Sequence, residues 1–265
     1  MVILIVIAVA VLYLLAIRGR AGHPGWEDLI GWYYAHRGLH GNGVPENSLA
    51  AFRQALEHGY GSELDVHLLA DGNLAVIHDS LLKRTTGADG RIEDLTTEQL
   101  TDYRLEGTEE VIPTFRQVLD LYAGKAPLIV ELKAENNVAA LCEKTCRMLD
   151  DYQGTYCIES FDPRCVIWLK KHRPDIIRGQ LAHNTLGKKN KMPAILKFIL
   201  SFQLENFLGV PDFIAYHYGT RKNFSNWLCR KLWKVQGVSW TLKSQEEFNT
   251  ALAEGWIPIF EGFRP

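Results

Sequence analysis

AHRGLHGNGVPENSLAAFRQALEHGYGSELDVHLLADGNLAVIHDSLLKRTT, running from Ala35 to Thr86, is the stretch whose reading decides the fold. Residues 33–37 read as a first strand, residues 48–58 as a helix that Ser48 can cap, and residues 62–69 as a second strand. Strand, helix and strand in succession form the unit from which parallel sheets are built. Residues 74–78 read as a further strand, reached through Ala70-Asp71-Gly72-Asn73, a turn-rich connection that departs from pure alternation in the manner of a hairpin. Glu63 and Asp65 lie two apart on the second strand, so both point to one side, while Leu64 and Val66 face the other way, toward the helices.

Working outward, residues 127–133 form a clear apolar strand on which Glu131 and Lys133 repeat the two-apart arrangement. A helix over 137–150 follows, then strands near 155–161, 176–181, 213–218, 238–242 and 257–260, with helices in the intervals. This alternation predicts a (β/α)8 TIM barrel with function on the loops at the C-terminal ends of its strands. An open doubly wound sheet is the alternative architecture, but no G-x-G-x-x-G follows the first strand. The chain has 265 residues, and without its apolar N-terminus the remainder is close to the ~250 typical of such a barrel.

Three carboxylates, Glu63, Asp65 and Glu131, converging on one barrel mouth would repel unless a cation lay between them. Oxygen donors with no cysteine nearby favour a hard divalent ion, Mg2+ or Ca2+, over zinc. His36 and His78, each ending a predicted strand, titrate near neutrality and suit proton transfer in either direction. Arg37 can hold phosphate oxygens in its planar fork, and Lys133 can offset charge developing there. Each residue also has a plain reading: packed histidines, a solvated strand face, and for Lys133 an internal salt bridge. Asn47 either orients the phosphate or a histidine, or simply forms a turn ahead of the helix. Trp240 in VSWTL and Phe161 in ESFDP either wall the pocket or pack in the core.

Five motifs, HRG at 36–38, PEN at 45–47 with AF at 51–52, E-x-D at 63–65, HD at 78–79 and RTT at 84–86, resemble in order and spacing those of the glycerophosphodiester phosphodiesterase family. The resemblance implies catalytic His36 and His78, a divalent metal on Glu63, Asp65 and Glu131, and an insertion at about 81–126 on the active-site end. It implies release of an alcohol and glycerol 3-phosphate from glycerophosphodiesters. The substrate's own glycerol hydroxyl would attack phosphorus, and water would open the resulting cyclic phosphate. Where a T-D-x-P-like close is common in the family, this chain has Glu261-Gly262-Phe263-Arg264-Pro265, so the resemblance assigns no late-strand acid. The competing readings are a lysophospholipase D or phospholipase C-like barrel, and a catalytically silent membrane protein that binds phospholipid headgroups. Two poised histidines argue against silence.

Residues 1–17 carry no charged side chain and would span roughly 25 Å as a helix against a bilayer core of about 30 Å. The expectation is a single-pass transmembrane anchor over residues 1–18 and a linker over 19–30. A cleaved signal peptide is the rival, without a basic n-region or an A-x-A site. Arg18 and Arg20 place the catalytic domain in the cytoplasm by the positive-inside tendency. Residues 186–210 join a lysine cluster to a helix apolar on most sides, which resembles an interfacial helix at anionic headgroups; a helix packed between the barrel and another loop is the alternative. Together these features point to a membrane lipid bilayer as partner and to a glycerophosphodiester or lysophospholipid substrate held near it. Cys142, Cys146, Cys157, Cys165 and Cys229 are odd in number with no C-x-x-C pair, as expected of reduced core residues in a reducing compartment. A net charge of −2 gives no electrostatic case for nucleic acid.

Overall fold

A computed structural model describes residues 1–135, 137–186 and 192–265. Its strands are β1 (Tyr34–His36), β2 (Gly61–Leu68), β3 (Leu74–Val76), β4 (Leu128–Leu132), β5 (Tyr156–Ser160), β6 (Arg178–Ala182), β7 (Phe213–His217), β8 (Gln236–Leu242) and β9 (Trp256–Phe260). All but β3 run parallel, and β1 pairs with both β2 and β9, which closes eight strands into a barrel. The strand β3 turns back antiparallel on β2, the hairpin that Asp71-Gly72-Asn73 announces.

The helices are α1 (Val2–Ala16), α2 (Leu49–Glu57), α3 (Lys83–Thr86), α4 (Phe115–Tyr122), α5 (Val138–Asp150), α6 (Pro163–His172), α7 (Ala194–Ser201), α8 (Asn206–Gly209), α9 (Phe224–Leu232) and α10 (Gln245–Ala253). Ser48 caps α2 as its sequence predicts, accepting from the Ala51 amide at 3.1 Å. Strand parity sorts the core. Leu64, Val66, Leu128 and Val130 face outward onto Phe52, Phe115 and Leu141 of the helical ring. Ile129, Phe213, Val238 and Ile259 fill the barrel interior. The segment after β3 has a small core of its own around Leu82, Ile92, Leu100 and Ile112. Its last part, α4, belongs to the helical ring and packs on α2 and β3.

The expected membrane-spanning anchor over residues 1–18 finds no support in the structure. No helix among the described residues is long and apolar enough to cross a membrane, and α1 has 15 residues. The last turn of the apolar run packs on the barrel. Ile17 is fully buried, its carbonyl accepts from Cys229 Sγ, the Leu14 carbonyl accepts from Trp233 Nε1 at 3.0 Å, and Tyr13 Oη meets Ser225 Oγ at 2.6 Å. Beyond α1, the Arg20 guanidinium grips Asp212, fixing the chain to the base of β7. The lysine cluster Lys188, Lys189 and Lys191 lies outside the described residues. In helix α7 behind it, Ala194, Ile195, Leu196 and Phe198 are exposed, while Ser201 is buried.

Candidate active site

The parity that points Leu64 and Leu128 outward points Glu63, Asp65 and Glu131 inward, at the ends of β2 and β4 where Asp65 and Glu131 are register partners. One ligand oxygen from each acid lies within 4.8 Å of the others, and all three acids are buried. Glu159, the register partner of Glu131 on β5, adds a fourth buried carboxylate whose Oε2 finds no hydrogen-bond partner among the described residues. Lys133 Nζ bridges Asp65 Oδ1 at 2.9 Å and Glu131 Oε1 at 2.6 Å, so the internal salt bridge and the site are one arrangement. Arg37 approaches Asp65 at 3.4 Å and Glu46 at 2.9 Å.

These two cations do not neutralise four acids. Burial, with Asp65 and Glu131 beside it, holds the Glu63 carboxyl well above its ordinary range; burial and Asp65 push Glu131 up to about 7 against the opposing pull of Lys133. Asp65 alone is held low, because Lys133, Arg37 and Asn47 overcome its burial. Buried all-oxygen donors with uncompensated negative charge fit a hard divalent cation held by Glu63, Asp65 and Glu131.

Both histidines stand beside this cluster, each backed by an acid. His36 Nδ1 contacts Glu261 Oε2 at 2.7 Å, and His78 Nδ1 contacts Asp79 Oδ1 at 2.6 Å. The Arg84 guanidinium holds Asp79 on its far side and donates to Glu46 at 2.6 Å. In each histidine this fixes the ring and turns Nε2 away from the acid; His36 Nε2 lies 3.8 Å from Glu63. Burial lowers both imidazole pKa values from the ordinary one, favouring the neutral form that accepts a proton. His36, Arg37, Glu63, His78, Glu131, Phe161 and Trp240 line one pocket, with Glu159 in its wall.

Asn47 touches neither histidine through a hydrogen bond; its Nδ2 donates to Asp65 Oδ2 at 2.8 Å. It is a turn residue in left-handed backbone at φ 54°, as the turn reading has it, and its side chain orients Asp65 rather than a histidine. Arg37 is left-handed too, at φ 55°, and this aims its amide at Glu63 Oε2, 3.2 Å away. Trp240 is pinned by donation from Nε1 to the Ala215 carbonyl at 2.9 Å and stands edge-on to Phe161 with ring centres 5.5 Å apart. His217 packs against Trp240. His67 is a buried structural residue bound to Glu93 at 2.7 Å.

Sequence reasoning missed five participants, Glu159 on β5 among them. Asp79 and Glu46 lie inside the HD and PEN motifs and Arg84 inside RTT, so their motif positions were a usable signal. Glu261 carried none, because only barrel closure sets it against His36.

The model of the glycerophosphoryl diester phosphodiesterase family matches residues 36–260. A glycerophosphodiester phosphodiesterase of Bacillus altitudinis is 39% identical over 112 residues, covering 40% of this chain and 45% of that protein, so this match spans less than half of the relative. Glycerophosphodiester phosphodiesterase 1 of Rattus norvegicus is 29% identical over 246 residues, covering 81% of this chain and 72% of that one. Among solved structures, an Oleispira antarctica phosphodiesterase in complex with the product sn-glycerol-3-phosphate aligns with a TM-score of 0.73 over 91% of this chain and 95% of that one, at 21% identity, and so agrees in fold. With the family model covering most of the barrel, from His36 at the end of β1 to Phe260 at the end of β9, the chain belongs to the glycerophosphoryl diester phosphodiesterase family of enzymes.

Proposed function

We propose that this chain hydrolyses glycerophosphodiesters to an alcohol and glycerol 3-phosphate, with His36 and His78 as proton-transfer groups and a divalent cation, Mg2+ or Ca2+, held by Glu63, Asp65 and Glu131. The observation that carries the reading is the pair of acid-backed histidines in one pocket beside the buried cluster of Glu63, Asp65 and Glu131. When bound, the cation polarises a hydroxyl and a phosphoryl oxygen. Arg37 holds a phosphate oxygen, and Asn47 and Lys133 fix Asp65 so that it keeps its orientation during turnover. One imidazole Nε2 accepts the proton of the substrate's own glycerol hydroxyl as it attacks phosphorus. The other, which enters the step protonated, gives its Nε2 proton to the departing alcohol, and the two roles reverse when water opens the cyclic phosphate. Phe161 and Trp240 wall the glycerol and exclude water from it.

The substrate class includes lysophospholipids as well as soluble diesters, because large apolar side chains lie exposed on helices that flank the barrel. Five buried cysteines, none in a disulfide, fit a reducing, cytoplasmic setting. The test is release of glycerol 3-phosphate from glycerophosphocholine and from lysophosphatidylcholine micelles, with EDTA and metal add-back. Metal-dependent release that His36→Ala and His78→Ala each abolish is the expected result. Release that survives EDTA or both substitutions refutes the mechanism, and no release from either substrate refutes the activity.

A further inference from the structure

Three apolar elements meet at Asn223–Ser225, where α9 begins. Asn223 Nδ2 donates to the Ser201 carbonyl at the end of α7, at 3.0 Å, and Tyr13 of α1 reaches Ser225. Because Tyr13 pairs with Ser225 and Ile17 with Cys229, α1 runs parallel to α9. Its residues 2–12 therefore project past the start of α9, about 16 Å of helix at 1.5 Å per residue. That end of α9 follows the C-terminal end of β7, the end at which the pocket opens. On α7, Thr185 Oγ1 bonds the Lys197 carbonyl just beyond β6, so this helix also sits beside the mouth.

The side chains there are ones a soluble surface avoids. Ile195 is 68% exposed, Phe224 62% and Trp227 54%, the last two stacked with ring centres 6.0 Å apart. Phe224, Trp227 and Lys231 form one stripe along α9, at helical spacing. Beside the stripe, a groove of about 650 Å³ runs between α9 and α10, lined by Arg221, Lys222, Arg230 and Lys231 around Trp227 and Trp256. Among the described residues its one carboxylate is Glu254, which pairs with Arg221 at 2.8 Å, and Arg230 stacks over Trp256 at 3.7 Å. Lys222 and Lys231 form no ion pair among the described residues.

We infer that this surface docks an anionic bilayer, with the apolar ridge of α1, α7 and α9 entering the headgroup boundary and the α9–α10 groove holding a phospholipid's anionic headgroup. The charge complementarity selects the occupant. A protein partner for so wide an apolar ridge has no reason to meet a groove with an excess of cations, whereas an anionic membrane presents both chemistries in one layer. Of this surface, α7 and the start of α9 lie at the strand ends where the pocket opens, so the inference deepens the proposed function by bringing the pocket to lipid-held diesters. Binding is measured without turnover, so each can fail alone.

The test is co-sedimentation of the full chain with phosphatidylcholine vesicles, with and without phosphatidylserine, at low and at physiological salt. Binding to the anionic vesicles, weakened by salt, is the expected result. Lys222→Gln with Lys231→Gln weakens it roughly thirtyfold, at ~1 kcal/mol per lysine. Phe224→Ser with Trp227→Ser weakens binding to both kinds of vesicle. Turnover of soluble glycerophosphocholine, unchanged in both double variants, certifies their folding. Equal binding to neutral and anionic vesicles, no effect of either double variant, or a lipid-independent dimer that covers Phe224 and Trp227 overturns the inference.

Discussion

Lys133 is the side chain whose removal tests the site's charge balance most directly. Its side chain is only 13% exposed and bridges Asp65 at 2.9 Å and Glu131 at 2.6 Å, in a cluster that also holds Glu63 and Glu159. Lys133→Met keeps the length of the stem and deletes the charge. Breaking a buried pair by removing one partner costs about 3–5 kcal/mol, because the other charge is left uncompensated. For a chain of this size that lowers Tm by about 6–20 °C in EDTA. The carboxylates have one escape, which is to hold a proton. Glu131 stands at about 7 even with Lys133 present, and without it rises further. An acid whose folded pKa is raised makes the folded state bind more protons than the unfolded state, so stability falls as pH rises above the unfolded value. The variant's deficit therefore grows between pH 6 and pH 8.

Divalent cation offers the second escape. A ligand at about 100 times its Kd adds about 2.7 kcal/mol to stability, and a site stripped of Lys133 has more repulsion for the cation to relieve. The assay is thermal unfolding of wild type and variant at both pH values, in EDTA and in excess Mg2+. The expected result is a larger Mg2+ increment in the variant than in the wild type. A variant as stable as wild type in EDTA, or one that gains no more from Mg2+, refutes the view of four acids under-neutralised by two cations.

Two further outcomes are expected. Glu261→Ala should lower kcat by roughly tenfold to a hundredfold with little change in KM, because His36 loses the acid that orients it; Glu261→Gln, which can still accept from Nδ1, should recover part of the loss, and full kcat in the alanine variant would remove Glu261 from the machinery. Glu205, buried ahead of α8 with Oε2 lacking a partner among the described residues, is pushed by burial up to about 8. Its raised folded pKa costs stability as pH rises from about 4.5 to 8, so Glu205→Gln should stabilise by a few kcal/mol at pH 8 and little at pH 5 in urea titrations; an equal gain at both pH values would contradict it.

Local rules made most of the barrel legible. Period-two patterns in β2 and β4 placed Glu63, Asp65 and Glu131 on the inner side, and Asp71-Gly72-Asn73 marked the return into β3. Ser48 announced α2. What stayed hidden depends on contacts distant in sequence. The apolar run at the N-terminus reads as one element, yet its end, from Tyr13 to Ile17, packs against α9 while residues 1–12 are exposed, and no periodicity separates the two environments. Asn47 was placed near the site by its motif, but its bond to Asp65 rather than to a histidine depends on the left-handed backbone at φ 54°.

The contact between His36 and Glu261 joins residues 225 positions apart. During synthesis at about 5–20 residues per second, roughly 10–45 s separate the appearance of the imidazole from that of its acid. Throughout that interval β1 also presents an open edge to the cell, since β9 has not arrived to pair with it. A nascent chain therefore leaves the ribosome as an unfinished hydrolase with an exposed strand, and the step that covers the strand is the one that gives His36 its partner. Ring closure and catalytic maturation are a single event, so stalled or N-terminal fragments carry the aggregation hazard without the activity.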